Sequence, residues 1–81
     1  MGELPKTVIE RMLKQKSGLR ISSEAVEEVS RLVEVFIDRV GEEGAVLAKH
    51  AGRSTLMASD VRLAARRASE EISRSVAQRK G

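Results

Sequence analysis

The sequence has no cysteine, one histidine and a single aromatic residue, Phe36. Without cysteine there is no disulfide and no thiolate metal site, and a lone histidine does not make a zinc site without other strong ligands nearby. We therefore expect no metal and no cofactor. Surfaces that bind single-stranded nucleic acid by base stacking need several exposed rings, so that mode of binding is not expected either.

Long apolar runs are also missing. No run approaches the 18 or so residues that cross a membrane. The first residues, Met1–Pro5, have neither the charged region nor the apolar region of a signal peptide. These features predict a chain with no membrane partner and a cytoplasmic location.

The residues needed for catalysis are scarce. There is no cysteine nucleophile and no glycine-rich phosphate loop, and His50 and Asp60 are the only candidates for a paired base and carboxylate. The nearby serines, Ser54 and Ser59, lie in no recognisable nucleophile motif. The sequence therefore predicts a protein that is not an enzyme.

The chain is 81 residues long, which corresponds to one domain. A chain of this size buries only about 60% of the surface that it exposes when unfolded. Below roughly 80 residues, disulfides, metals or oligomerisation usually supply the missing stability. Because the first two are not expected here, we predict an obligate dimer or a larger assembly.

The charges are unevenly distributed along the chain. The net charge is +3, with +3 over residues 1–20, −5 over residues 21–48 and +5 over residues 49–81. Basic ends and an isoelectric point near 9.8 are typical of proteins that bind nucleic acid. An ordinary solvated surface with an incidental asymmetry explains the same charges equally well.

Apolar periodicity predicts three helices. A short helix begins at Pro5 and stops at Gly18, and a long one runs from a cap at Ser22 or Ser23 to Gly52. The third begins near Ala58 and continues through about Val76. The long helix would extend roughly 40 Å, too far for two short helices of the same chain to cover, so its apolar stripe requires a second copy.

Two glycines, Gly41 and Gly44, lie inside the long helix one turn apart. Each weakens a helix by about 1 kcal/mol relative to alanine. They permit a close approach where two long helices cross, or they are simply tolerated weak points. The sequence favours neither explanation.

One set of residues lies in and around the predicted loops: Leu4, Pro5, Arg11, Lys14, Arg20, Ile21, Ser22, the segment 47–55, Ala58 and Asp60. With these residues the chain resembles the archaeal histones over residues 4 to about 68. This resemblance implies an all-α histone fold, with the order short helix, loop, long helix, loop, short helix. Two chains would clasp head to tail as a handshake dimer. Residues 1–68 would form the histone-fold domain, and residues 69–81 an extension that continues the third helix.

The resemblance also implies roles for individual residues. Arg11 and Lys14 would bind DNA at the centre of the dimer, and the paired loops would bind it through Arg20, Arg53, Ser54 and Thr55. An ion pair between Arg53 and Asp60 would brace the second loop. A contact between two dimers would involve Leu47, His50, Asp60 and Leu63. Arg11 could equally be a solvated helix residue. The alternative for His50 is an ordinary surface or interface residue, and Thr55 could simply hold its loop.

Several positions depart from the family pattern. Ser54 stands where lysine is common in the resembled family, and Met57 stands where lysine or a capping residue is common. Ser17 stands where many members have glycine. The first two changes weaken the expected DNA surface, and Ser17 weakens the expectation of a continuous wrapped filament. Residues 69–81 are either a frayed tail or a helix that redirects assembly, for example into a tetramer that bridges two duplexes.

The function implied is an architectural histone that binds double-stranded DNA with little sequence preference and compacts it by wrapping or bridging. Its partners would be duplex DNA, a second copy of itself and, in a heterodimer, a related histone, and it would lie at the nucleoid. The alternative is a histone-fold interaction subunit of a transcription-related complex, with weak DNA binding.

Overall fold

The computed structural model describes residues 4–77, and the described part of the chain is entirely helical apart from turns and loops. Helix α1 spans Lys6–Ser17, α2 spans Ser23–His50 and α3 spans Ala58–Ala77. The predicted all-α class and helix order are confirmed. The third helix has 20 residues and ends at Ala77, one residue beyond the predicted Val76. Residues 18–22 form loop 1, and residues 51–57 form loop 2.

The chain divides into two compact units, Met1–Val33 and Glu34–Gly81. In the first unit, the carbonyl of Pro5 accepts hydrogen bonds from the first turn of α1, and α1 buries none of its residues. Gly18 ends the helix with a φ of 71°, and its N–H donates to the Lys14 carbonyl at 2.8 Å. Glycine suits this left-handed position because it has no Cβ.

Ser22 is the cap of α2. Its Oγ accepts a hydrogen bond from the Ala25 N–H at 3.0 Å, and its carbonyl accepts one from Val26. The neighbouring Ser23 Oγ instead lies 3.4 Å from the Glu24 carboxylate. Of the two serines that the sequence left as alternatives, Ser22 therefore satisfies the open N–H group of the first helical turn.

The second unit has a small core made of α2 and α3. Val40, Ala64 and Ala68 are buried, and Phe36 and Val61 pack against them while remaining partly exposed. Alanines bring the two helices close but bury little apolar surface. This unit therefore gains limited hydrophobic stabilisation from its own residues.

The middle of α2 carries an apolar surface that its own chain leaves open. Val26, Val40 and Ala48 are buried along one stripe of the helix, whereas Val33 and Ile37 on that stripe are 36% and 54% exposed. All five follow the three- and four-residue spacing of a single helix face. The uncovered part of the stripe thus lies at the centre of the longest helix.

The two glycines of α2 have different surroundings, and the helix runs without a break through both. A Cβ on Gly44 would lie 2.6 Å from Cδ1 of Leu56, so this glycine admits a side chain of loop 2 from the same chain. A Cβ on Gly41 would meet no described atom of the chain within 4 Å. The close approach at Gly44 is therefore explained by loop 2 rather than by a crossing helix.

The cap at Ser22 generates a stability prediction. Ser22→Ala should lower the free energy of unfolding by about 1 kcal/mol, because the Ala25 N–H loses its acceptor. The control, Ser23→Ala, should change it by less than about 0.5 kcal/mol. Urea unfolding at one fixed protein concentration measures both values, and equal losses for the two variants would contradict the assignment of the cap.

Candidate nucleic-acid interface

The end of α2 fixes the backbone of loop 2. Gly52 adopts a φ of 74°, its N–H donates to the Lys49 carbonyl at 2.9 Å, and the Arg53 N–H donates to the Ala48 carbonyl at 2.9 Å. This pair of bonds is the Schellman arrangement, which closes a helix around a left-handed glycine. It places Arg53 at a defined position just beyond the helix.

The Arg53 side chain is fixed as firmly as its backbone. Nη1 donates to Oδ2 of Asp60 at 2.6 Å and Nη2 donates to Oδ1 at 2.8 Å. Nη1 also donates to the Thr55 carbonyl at 3.2 Å. A two-point arginine–carboxylate pair is among the stronger polar contacts in proteins and has a specific geometry. The guanidinium therefore links the two ends of loop 2.

Asp60 also caps α3. Its Oδ2 accepts a hydrogen bond from the backbone N–H of Met57 at 2.9 Å. Met57 precedes the helix and has no side-chain oxygen to cap it, so the carboxylate three residues later supplies the acceptor. A negative charge in the first turn also interacts favourably with the helix dipole. One buried carboxylate therefore organises both loop 2 and the start of α3.

These contacts alter the ionisation of both partners. The hydrogen bonds from Arg53 and from the Met57 N–H lower the pKa of Asp60 from 3.8 to about 2, and this effect exceeds the opposing effect of burial. The hydrogen bond to Asp60 raises the pKa of Arg53 above its usual range. Both groups are therefore charged throughout the neutral range, as an ion pair whose carboxylate is only 4% exposed.

The predicted DNA-binding residues of loop 2 are not equivalent. Ser54 and Thr55 have exposed side chains, whereas Arg53 is 33% exposed and shares its charge with Asp60. Lys49, which the sequence did not single out, lines the same shallow depression as these three residues. The sequence feature that could have indicated Lys49 is its position in the last turn of α2, close to Arg53.

The predicted DNA-binding residues of the first unit are open to solvent. Arg11 and Lys14 lie one turn apart on α1, and Arg20 lies in loop 1. Within residues 4–77, none of these three cations is within ion-pair distance of a carboxylate. Lys6, near the start of the same helix, is instead 3.8 Å from Glu27. These three positive side chains of the first unit are therefore uncompensated within the described part of the chain.

The four residues predicted to join two dimers differ in exposure. Leu63 is 61% exposed, His50 is exposed, Leu47 is half-buried and Asp60 is buried. Asp60 already uses both carboxylate oxygens within its own chain, so it is placed to orient Arg53 rather than to present a free surface. The exposure of Val46, Leu56 and Met57 in this unit was not predicted, because helical periodicity does not show which face remains open.

Metal sites and membrane spans are both absent from the described part of the chain. Residues 4–77 contain no group of three or more histidine, cysteine, aspartate or glutamate side chains arranged to hold a metal ion. None of the three described helices combines the length and the apolar character needed to cross a membrane.

The ion pair predicts how stability depends on pH. Because the pKa of Asp60 is lower in the folded chain than its usual 3.8, the pair stabilises the fold fully above about pH 4 and this contribution is lost as the pH falls towards 2. Asp60→Asn should lower the melting temperature at pH 7 and flatten its decline between pH 4 and pH 2. Thermal melts across this range test both effects.

The matched control is Glu42→Gln, which removes an exposed carboxylate that pairs with Arg39 at 3.0 Å. Exposed pairs contribute little to stability, so this variant should melt close to the wild type at pH 7. If Asp60→Asn melted no lower than Glu42→Gln, the bracing role of Asp60 would be wrong.

Comparison with known proteins identifies the relatives of this chain. A family model described as histone-like transcription factor (CBF/NF-Y) and archaeal histone matches residues 2–65. The chain is similar to an archaeal histone HAN1 subunit from Thermococcus zilligii, with 38% identity over 64 residues, 79% of this chain and 96% of that protein. It is also similar to DNA-binding protein HmvA of Methanocaldococcus jannaschii, with 36% identity over 59 residues, 73% of this chain and 62% of that protein. The predicted resemblance is confirmed, and the chain belongs to the family of histone-like transcription factors and archaeal histones.

Proposed function

We propose that this protein is an architectural histone that binds double-stranded DNA with little sequence preference and compacts it by wrapping or bridging. The observation that carries the proposal is the set of uncompensated, exposed cations Arg11, Lys14 and Arg20 in a chain of this family. The names of the two relatives, an archaeal histone and a DNA-binding protein, support it. A DNA-binding histone would act at the nucleoid and would not be an enzyme.

The chemistry of these side chains suits the DNA backbone. Arginine and lysine bind phosphate oxygens, and serine and threonine hydroxyls and backbone N–H groups add further contacts without reading sequence. Arginine can also enter a narrow minor groove, where it responds to the shape of the duplex. Most of the affinity would come from the release of counterions, so binding should weaken steeply with salt.

Loop 2 contributes in a different way from loop 1. Arg53 is held by Asp60, so its main role in this proposal is to hold the exposed Ser54 and Thr55 side chains in place. Lys49 lines the same depression and supplies a cation near the position where Ser54 replaces the family's lysine. Arg20 in loop 1, with no carboxylate partner in the described part of the chain, is the more direct DNA ligand.

The handshake dimer gives the open stripe of α2 a partner. Val33 and Ile37 are exposed in the single chain at the centre of its longest helix, where the α2 helix of a second copy would cross. Leu19 of loop 1 is 66% exposed, and a second copy would cover it as well. The same apolar stripe could accept a related histone, which would give a heterodimer.

Assembly beyond the dimer would use the exposed part of the second unit. His50 and Leu63, with Leu47 at their edge and Val46 added by the structure, form the candidate surface between dimers. We also propose that the histone-fold domain spans residues 1–68 and that residues 69–81 are an extension. Helix α3 continues to Ala77, beyond the matched residues 2–65. The predicted extension residues 78–81 lie outside the described part of the chain.

A second candidate is an interaction subunit of a transcription-related complex. The family description includes histone-like transcription factors. The segment 21–48 carries a net negative charge, and Ser54 and Met57 are uncharged, so fewer positive charges are available to bind DNA. Such a subunit would bind duplex DNA weakly and would require a different protein to form its dimer.

A pair of arginine variants tests DNA binding. Arg20→Ala should weaken binding to a mixed-sequence duplex and lower the slope of log K against log salt by about 1 for each phosphate that is no longer bound. The control, Arg31→Ala, removes an arginine that is already paired with Glu28 at 2.7 Å and should leave the slope unchanged. Fluorescence anisotropy at several salt concentrations measures both variants.

Equal effects of the two variants would show that loop 1 does not bind phosphate. Weak binding by the wild type that does not depend on salt would reject the architectural role and favour the interaction subunit.

A further inference from the structure

Helix α3 has a second face that the proposed DNA surface does not use. Its buried stripe is formed by Asp60, Ala64 and Ala68. On the opposite side, residues recur at the same three- and four-residue spacing, all of them exposed: Ser59, Arg62, Arg66, Ser69 and Ser73. We call this the outer face of α3. From Arg62 to Ser73 it extends about 16 Å along the helix.

The arginines of the described chain fall into two groups. Five are within ion-pair or hydrogen-bond distance of a carboxylate: Arg31, Arg39, Arg53, Arg67 and Arg74. Within residues 4–77, Arg11, Arg20, Arg62 and Arg66 have no carboxylate partner. Two of these four are the predicted DNA ligands of the first unit. The other two lie one turn apart on the outer face of α3.

We propose that the outer face of α3 is a second binding surface for double-stranded DNA, through which one histone assembly holds two duplexes together. This inference rests on the proposed function and assigns bridging to particular residues. It adds Arg62 and Arg66, with the three serines beside them, to the residues that contact DNA.

The composition of this face favours phosphate. Two guanidinium groups on one side of a helix, flanked by hydroxyl groups, provide the donors that commonly bind the DNA backbone. The exposed apolar side chains of α3, Leu63 and Val76, lie to either side of the outer face, so the face itself carries no large apolar side chain. In a dimer, two copies of the face provide four uncompensated arginines.

The outer face begins at Ser59, just after loop 2, and continues along α3 away from the loop. Ser54 and Thr55 lie in loop 2, whereas Arg66 and Ser73 lie two and four turns into α3. The proposal requires that a duplex at loop 2 leave this part of α3 uncovered. A second duplex could bind there without displacing the first.

Glu70 is the acidic residue of the described chain that adjoins this face. It is exposed and lies one turn beyond Arg66, so it lowers the positive potential that a phosphate meets. The proposal therefore predicts opposite effects for two kinds of change on one helix: loss of the arginines weakens bridging, and loss of the Glu70 charge strengthens it.

The experiment is a capture assay on the full chain. A biotinylated duplex is immobilised, protein is added, and the amount of a fluorescent second duplex retained is measured. The test variant is Arg62→Ala with Arg66→Ala. The control is Arg67→Ala with Arg74→Ala, which removes two arginines of the same helix that are already paired with Glu43 and Glu71.

The test variant should retain at least about tenfold less second duplex than the wild type, while its affinity for a single short duplex stays within about twofold. The control should retain as much as the wild type, and Glu70→Gln should retain more. Far-UV circular dichroism checks that each variant is folded.

Equal capture by the test variant and the wild type would overturn the proposal, as would a wild type that binds one duplex but captures no second one. Loss of self-association by the test variant without loss of capture would also overturn it, and would mean that the outer face contacts a second copy of the chain. If the wild type bound no duplex at all, the proposed DNA-binding function itself would fail, which is a distinct result.

Discussion

The structure depends on one constraint, which is that a single chain cannot cover the apolar stripe of its own long helix. The buried core within the second unit consists of Val40, Ala64 and Ala68, and the stripe of α2 is open at Val33 and Ile37. Burial of apolar surface is the main driving force for folding. Folding and self-association are therefore a single process in this account.

A second interaction, between Arg53 and Asp60, fixes the conformation of loop 2 and the start of α3. The carboxylate closes loop 2 and caps α3, and the guanidinium also holds the Thr55 carbonyl. Arg53, which the sequence predicts to bind DNA, is thus also held by contacts within its own chain. The proposal accordingly assigns phosphate binding to arginines that have no carboxylate partner within residues 4–77, and loop bracing to Arg53.

Helical periodicity and the capping residues made the helices predictable. Pro5, Gly18, the serines before α2 and Gly52 mark helix ends through local backbone chemistry, and the observed helices end within two residues of most of these marks. The exposure and the ion-pair partners of individual side chains were not predictable from the sequence. Whether Val46 or Leu47 faces outward, and which arginine has a carboxylate partner, depends on how the helices pack. Gly44 illustrates this limit, because its neighbour is Leu56, twelve residues further along the chain.

The central claim is that folding requires a second copy, and thermal unfolding at a series of protein concentrations tests it most directly. The account predicts a melting temperature that rises with concentration, and loss of helical signal on dilution below the dissociation constant. A melting temperature independent of concentration, with a folded monomer in sedimentation equilibrium, would contradict it.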